Sequence, residues 1–480
     1  MATEEEHHGK TAIQSYRVFT CGYRFGKTLA GDGYGGGTPW QDGDTELPSV
    51  SAAPLRCLSA AISTHYLISS SKYTQDIIYI GGSLIKKIMS TPANDGEDNG
   101  EVFLDEDDIL EEINVDEEDL PDAIDGADSD SDAEAFDEAD DSMHIFTGHT
   151  GELYTVACSP TDAQLVATGA GDDKGFLWRI GQGDWALELQ GHKDSVSCVA
   201  FSYDGQLVAC GSFDGVVQVW DVALGTLKCT LDGPGAGIEW VRWHPRGHMV
   251  LAGSEDSTAW MWNADKGAYF NSLAGHASTV TCGDFTPDGK TVCTGSDDAS
   301  LRVWDPKTGV AHHVVKGHFY HADGLTCLTV SADSSLVLTG SKDGSVHCVN
   351  ITTGKVVSSL ASHTDSIECI ALSTSGPWAA TGSMDQKLII WDLQHSLPRC
   401  TCEHEDGVTC LTWLGGTRYV ATGCVDGRVR IWDSLSGECM KTLRGHTDAI
   451  QSLAMSPDGA HLVSVSLDGT ARVFEIDEFR

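Results

Sequence analysis

Aspartate and histidine residues recur through the later two-thirds of the 480-residue chain at spacings that bear on acid–base chemistry. A paired imidazole and carboxylate can transfer a proton in catalysis. The turn aspartates, however, repeat every 41–45 residues, at Asp172, Asp214, Asp256, Asp298, Asp343, Asp385, Asp426 and Asp468. An eightfold recurrence predicts a structural role, since each copy would otherwise be a separate active site.

Two further residue types keep the same period. Six positions after each aspartate stands a large apolar residue, at Trp178, Trp220, Trp262, Trp304, Val349, Trp391, Trp432 and Phe474. A histidine stands well upstream of most of the aspartates, at His149, His192, His276, His318, His363, His404 and His446. The third unit has no such histidine and carries GPGAG at residues 233–237 instead.

Short strands must position these residues. Apolar residues alternate in runs such as VSCVAF, QLVACG and VVQVW, which Asp-Gly or Ser-Asp turns separate. Four strands per unit at this period are typical of the WD-repeat β-propeller, so we expect an all-β fold with eight blades. A disordered acidic segment is expected to precede it.

The WD repeat implies a buried hydrogen-bond network of histidine, strand hydroxyl, turn aspartate and tryptophan. An unpaired polar atom in such a place costs about 1–3 kcal/mol. We therefore assign a structural rather than catalytic role to the best matched residues: His192, Asp214, Trp220, His276, Asp298, Trp304, His363, Asp385, Trp391, His446 and Asp468.

The ends of the chain are expected to close the ring together. The last unit reaches only its third strand, TARVFEI, before Arg480. MHIFTG, residues 143–148, has the pattern of the missing fourth strand. Closure by this segment would remove an open sheet edge.

The net charge of −41 is unevenly placed and sets the predicted domain divisions. Residues 89–142 hold 24 acidic residues and no lysine or arginine, and residues 143–480 hold 39 acidic and 22 basic residues. We predict an N-terminal extension at 1–88 without an assigned role, an acidic and largely disordered tract at 89–142, and the propeller at 143–480. Such a chain repels nucleic acid and anionic membranes and attracts basic proteins.

Enzyme chemistry is not predicted. There is no Ser-His-Asp grouping, no paired metal spacing and no glycine-rich cofactor turn, so we expect neither cofactor nor metal. Cys198, Cys282, Cys327, Cys369 and Cys410 occupy the same place in successive repeats and should be buried free thiols. Without a signal peptide or a membrane-length apolar run, we expect a soluble monomer in the cytoplasm, with the nucleus as a second location.

Several stretches are more specific than the repeat itself. IEWVRWHPRGHMVLAGSEDSTAWMW, GDDKGFLWRI, GHKDSVSCVAFSYDG, TTGKVV and the leader EVFLDEDDILEEINVDEEDLPD resemble the angio-associated migratory cell protein family over residues 101–480. This resemblance implies a soluble WD-repeat protein with an acidic leader. Animal members are linked to cell migration, and a fungal relative is a dedicated chaperone of a newly made, basic large-subunit ribosomal protein.

Two functions follow from the resemblance, both of them non-catalytic. One is a chaperone that holds a basic ribosomal protein during ribosome assembly, and the other is a signalling or cell-migration adaptor. A cullin-ligase receptor is a third interpretation. Its WDxR signature is absent: the corresponding stretches of this chain are WDVA, WDPK, WDLQ and WDSL.

The predicted partner site is one rim of the propeller. In WD propellers the loops that carry the Gly-His pairs and the aspartate turns emerge at the same end. The site is predicted from the acidic residues and candidate apolar anchors that stand next to the Gly-His pairs and the turn aspartates. They are Asp194, Phe213, Glu239, Glu255, Asp297, Asp365, Glu368, Met384, Asp406 and Asp448. Lys342 interrupts this set, so blade 5 is expected to lie outside the binding footprint.

Overall fold

Alternating apolar and polar residues between tight turns form short β-strands, as the pattern predicts. The structure, a computed structural model, describes residues 139–183 and 186–480, and the backbone of residues 76–80 and 83–87. The latter two segments are β1 (Asp76–Ile80) and β2 (Ser83–Lys87), an antiparallel hairpin in a unit of its own. The rest of the predicted divisions 1–88 and 89–142, up to residue 138, lies outside the described residues.

Eight antiparallel sheets of four strands follow one another along the chain, which confirms the eight-bladed propeller. Blade 1 contains β4 (Leu153–Cys158), β5 (Leu165–Ala170), β6 (Gly175–Arg179) and β7 (Ala186–Leu189). Blade 2 contains β8 (Val196–Phe201), β9 (Leu207–Ser212), β10 (Val217–Asp221) and β11 (Thr226–Leu231). Blade 3 contains β12 (Ile238–Trp243), β13 (Met249–Ser254), β14 (Thr258–Asn263) and β15 (Ala268–Ala274). Blade 4 contains β16 (Cys282–Phe285), β17 (Val292–Gly295), β18 (Leu301–Trp304) and β19 (Ala311–Val315).

The second half of the ring repeats this arrangement. Blade 5 contains β20 (Leu325–Val330), β21 (Leu336–Ser341), β22 (Ser345–Asn350) and β23 (Lys355–Ala361). Blade 6 contains β24 (Ile367–Leu372), β25 (Trp378–Ser383), β26 (Lys387–Asp392) and β27 (Leu397–Glu403). Blade 7 contains β28 (Val408–Trp413), β29 (Tyr419–Cys424), β30 (Val429–Asp433) and β31 (Cys439–Leu443). Blade 8 contains β32 (Ile450–Met455), β33 (His461–Ser466), β34 (Ala471–Glu475) and, from the other end, β3 (His144–Phe146); a short 3-10 helix, Asp477–Phe479, follows.

The strand β3 closes the ring as predicted. It pairs with β34 in antiparallel register, with His144 opposite Val473 and Phe146 opposite Ala471. Residues before β3 also contact the propeller, because Asp140 binds the Arg472 guanidinium and the Asp141 N–H donates to the Arg444 carbonyl over 3.1 Å. Part of the acidic tract is therefore fixed to blades 7 and 8.

The first strand of each blade lies innermost, because these strands contact one another in sequence and β32 contacts β4. Hydroxyl groups bridge neighbouring inner strands: Ser197 donates to the Ile238 carbonyl over 2.6 Å and Thr281 to the Leu325 carbonyl over 2.5 Å. The repeated cysteines of these strands are buried free thiols, as predicted. Burial raises the pKa of Cys282 to about 12, so this thiol is not reactive at neutral pH.

Candidate functional site

Two sets of loops meet at one end of the propeller, called the upper rim below. One set precedes the innermost strand of each blade, and the other set contains the turn aspartates. A backbone hydrogen bond ties the two sets together in each blade; the Phe213 N–H donates to the Ser195 carbonyl over 3.1 Å, and the Met384 N–H to the Ser366 carbonyl over 3.0 Å. The predicted common rim is therefore present, with a fixed backbone.

Beneath the rim, a side-chain network supports both loops. In blade 6 the Trp391 indole donates to the Thr381 hydroxyl over 2.8 Å, and that hydroxyl lies 2.8 Å from His363 Nε2. His363 Nδ1 lies 2.9 Å from Asp385, whose carboxylate also accepts from the Thr364 N–H. Burial lowers the pKa of His363, so the neutral ring accepts from the hydroxyl and donates to the carboxylate.

Blade 4 contains the same network and blade 8 contains most of it. His276 Nδ1 lies 3.1 Å from Asp298, and the Thr294 hydroxyl joins His276 Nε2 to the Trp304 indole. In blade 8 His446 lies 2.8 Å from Asp468 and 2.7 Å from Ser464. These predicted network residues are thus hydrogen-bonded to one another beneath the rim loops.

Blade 2 departs from the predicted network. His192 Nδ1 lies 3.1 Å from Asp214 as expected. Cys210 takes the place of the hydroxyl residue, and neither His192 Nε2 nor the Trp220 indole N–H has a hydrogen-bond partner within the described residues. The prediction that Trp220 joins the network is wrong, because a thiol replaces the hydroxyl that would link the two rings.

Blade 5 uses a different histidine from the predicted one. His318 is exposed, whereas His321 is buried and lies 2.8 Å from Thr339 and 2.8 Å from Ser345. His321 precedes Asp343 by 22 positions, as His363 precedes Asp385. That spacing was the signal that identifies His321. The adjacent Gly-His pair of residues 317–318 was misleading.

Five aspartates occupy the same place in the rim loops that enter blades 2, 5, 6, 7 and 8: Asp194, Asp323, Asp365, Asp406 and Asp448. Each carboxylate accepts a hydrogen bond from the N–H of the following residue, over 2.6–2.8 Å. Asp406 is half-buried and the other four are exposed. Asp323 was missed because its loop was aligned on His318. The aspartates therefore shape their own loops and still present negative charge to solvent.

The remaining predicted rim residues are less accessible. Glu239, Glu255 and Asp297 are half-buried, and Asp297 pairs with Lys342 over 2.7 Å. Glu368 is only 2% exposed on the innermost strand β24, so its assignment to the exposed rim is wrong. An inner strand faces its neighbours on both sides, which buries a side chain that the sequence places beside a loop.

The two predicted apolar anchors pack sideways onto neighbouring loops. A Cβ atom added at Gly237 would lie 2.9 Å from the Phe213 ring, and one at Gly407 would lie 2.7 Å from the Met384 sulfur. Both side chains are half-buried. Phe213 and Met384 therefore help to fix the rim and present only part of their surface to a partner.

A metal centre or membrane segment does not emerge from the described part of the chain. Within residues 139–183 and 186–480, no three His, Cys, Asp or Glu side chains are placed to hold a metal ion. Across the described residues, no helix has the length and apolar character needed to cross a bilayer.

Curated proteins resemble parts of this chain in sequence. The angio-associated migratory cell protein of Homo sapiens is 43% identical over 65 residues, 14% of this chain and 15% of that protein. An uncharacterised WD repeat-containing protein of Schizosaccharomyces pombe is 32% identical over 117 residues, 22% of this chain and 28% of that protein. The matches thus span less than a third of these curated relatives.

Solved structures share the fold. Sqt1 of Chaetomium thermophilum bound to the N-terminus of the ribosomal protein L10 superposes with a TM-score of 0.66 at 24% identity, covering 70% of this chain and 100% of that chain. The WD domain, G-beta repeat family matches residues 140–179, 184–221, 225–263, 267–305, 309–350, 354–392, 396–433 and 437–475. The chain therefore belongs to the WD-repeat family.

Proposed function

We propose that this protein is a chaperone that binds a newly made, basic ribosomal protein of the large subunit across its upper rim. The observation that carries the proposal is the repetition of one exposed carboxylate in the rim loops, at Asp194, Asp323, Asp365 and Asp448. Four like charges on fixed loops around one axis attract a Lys/Arg-rich segment and repel an acidic one.

The charge balance of the rim supports this partner. Two of the basic residues at the rim are paired with acids, Lys342 with Asp297 and Arg428 with Glu405, the latter over 2.8 Å. Residues 143–480 still carry 39 acidic against 22 basic residues. A newly made ribosomal protein is rich in lysine and arginine and would otherwise bind RNA or aggregate. The rim would screen that charge until delivery.

The fold likeness to Sqt1 supports the choice of ribosomal protein. Sqt1 has been solved with the N-terminus of ribosomal protein L10, and we propose a partner of the same kind here. A non-catalytic role, a monomeric state and a cytoplasmic and nuclear location belong to the same proposal. Nucleic acid is not an expected direct partner, because a phosphate backbone would meet the same negative rim.

An adaptor function is the second candidate. The observation that favours it is the 43% identity of a 65-residue stretch to the angio-associated migratory cell protein. Such an adaptor would use the same rim for a signalling or cytoskeletal protein rather than for a ribosomal one.

Affinity purification from ribosome-depleted cytosol separates the two candidates. The tagged intact protein should retain one basic ribosomal protein in equal stoichiometry. The same purification is made with the triple variant Asp194→Asn, Asp365→Asn, Asp448→Asn, which keeps the side-chain oxygen of each loop hydrogen bond and removes the charge. This variant should no longer retain the ribosomal protein. Recovery of receptor or cytoskeletal proteins instead would contradict the chaperone and support the adaptor.

A further inference from the structure

The loop that enters blade 5 differs from the other rim loops. It runs from Val315 to Leu325, whereas the loop that enters blade 2 spans only Leu189 to Val196. Its extra residues place Phe319 at the surface, where 92% of the side chain is exposed. Among the large apolar side chains of the described residues, this exposed fraction is the highest.

Buried neighbours hold Phe319 in this position. The Tyr320 N–H donates to the Gly317 carbonyl over 2.9 Å, which closes a turn around Phe319. The Tyr320 side chain is buried and its hydroxyl lies 2.8 Å from the Thr339 hydroxyl. His321 Nε2 also lies 2.8 Å from the Thr339 hydroxyl. Because the residues that follow are fixed in the blade, the exposed ring is presented from a defined turn.

Charged groups surround the base of this loop. Asp323 is exposed on the loop itself, and Asp297 lies against its end, because a Cβ atom at Gly324 would lie 2.5 Å from the Asp297 carboxylate. Lys342 pairs with Asp297, and Lys316 and His318 are exposed on the other side of the turn. Phe319 is thus an apolar side chain within a charged rim.

We propose that Phe319 is the apolar anchor of the rim and is covered by an apolar side chain that lies between lysine or arginine residues in the basic partner. This inference rests on the proposed function. Exposed ion pairs contribute little affinity, so a rim of carboxylates needs at least one contact that excludes water. Exposed aromatic side chains supply such contacts in protein interfaces. Blade 5, which the sequence places outside the footprint because of Lys342, is then part of it.

Calorimetric titration of the intact protein with a peptide of the N-terminal residues of ribosomal protein L10, at low and at high salt, tests the anchor. Phe319→Ala should weaken binding about tenfold or more at both salt concentrations, because apolar burial is not screened. Phe319→Leu should retain most of the affinity. Asp323→Asn should weaken binding at low salt only. Leu224→Ala, which changes a side chain that is 74% exposed in the turn between β10 and β11 at the opposite rim, should have no effect.

The outcomes distinguish a failure of the Phe319 anchor from a failure of the proposed chaperone function. If the unchanged protein binds the peptide and Phe319→Ala binds it equally well, or loses affinity only at low salt, the anchor is refuted and the chaperone proposal stands. An equal loss in Leu224→Ala also refutes it, since the effect would not belong to the rim. If the unchanged protein binds no peptide at either salt concentration, the proposed function fails and the anchor fails with it.

Discussion

The ring of Phe146 stacks on the indole of Trp178, with 4.9 Å between the ring centroids and 5° between the ring planes. Phe146 lies in β3, which completes blade 8, and Trp178 lies in β6 of blade 1. The strand β3 thus joins blade 8 by backbone hydrogen bonds and blade 1 by ring packing. The closure of the propeller depends on this one short segment.

Replacement of Phe146 by alanine should lower the free energy of unfolding by about 3–5 kcal/mol, because it leaves a cavity between two blades. Urea denaturation measures the change. Met143→Ala is the matched control in the same segment; its side chain is 52% exposed, and its effect should be below about 1 kcal/mol. A fragment of residues 149–480 should also melt below a fragment of residues 101–480. Equal melting temperatures would contradict closure by β3.

Asp385→Ala should destabilise the protein by about 3–5 kcal/mol, since it leaves the buried His363 ring and the Thr364 N–H without their acceptor. The Asp385 and His363 side chains are only 3% and 0% exposed. Thermal and urea unfolding of the variant measure the loss. A variant with unchanged stability that no longer binds its partner would show that Asp385 acts in recognition instead.

Cys210→Thr should stabilise the protein by about 1 kcal/mol, because the new hydroxyl can join His192 Nε2 to the Trp220 indole. Blade 6 shows the completed arrangement, with Thr381 between His363 and Trp391. The converse exchange, Thr381→Cys, should cost a similar amount. Differential scanning calorimetry compares both variants with the unchanged chain. If Cys210→Thr leaves the free energy of unfolding unchanged or lowers it, the unpaired His192 Nε2 and Trp220 N–H do not destabilise blade 2.

Stability should fall as pH is lowered from about 6.5 toward 4. Burial and the charge of His321 lower the pKa of His347 to about 4, and burial and the charge of Arg430 lower the pKa of His404 to about 4. The unfolded chain takes up these protons near the ordinary value of 6.5. Acid therefore favours unfolding, by roughly 1–3 kcal/mol for each histidine.

Urea denaturation at pH 7 and pH 4.5 measures this dependence. His347→Gln should make the loss of stability shallower, because the amide can still reach the Ser359 hydroxyl, which lies 2.8 Å from His347 Nδ1, and does not titrate. A loss as steep in this variant as in the unchanged chain would assign the acid sensitivity to other groups.

The fold could be predicted because the geometry of a blade fixes the spacing of its repeated aspartate and tryptophan residues. The turn aspartate immediately precedes one strand, and the tryptophan six positions later lies near the end of that strand, so their spacing does not change with the length of the loop that enters the blade. The histidine lies across a loop, and the longer loop of blade 5 shifted its assignment to His318. The closing strand was predictable because the last unit lacks a fourth strand and residues 143–148 supply its pattern.

The site could be predicted only in part. The positions of Asp194, Asp365 and Asp448 follow from the repeat, since each lies two residues after a network histidine. The burial of Glu368 depends on how tightly eight inner strands converge, which a single repeat does not encode. The exposure of Phe319 depends on the turn that Tyr320 and Gly317 form, and Cys210 shows its effect only when its two ring neighbours are known.

The salt dependence of partner binding tests the central claim most directly. The affinity of the intact protein for the N-terminal segment of ribosomal protein L10 is measured at several salt concentrations, beside the upper-rim variant Asp194→Asn, Asp365→Asn, Asp448→Asn. The matched variant Asp333→Asn, Glu438→Gln, Asp477→Asn changes three exposed acids at the opposite end. We expect the upper-rim variant to bind more weakly and with a flatter salt dependence, and the matched variant to behave like the unchanged protein. Equal affinity and equal salt dependence for all three proteins would contradict the assignment of the partner to the upper rim.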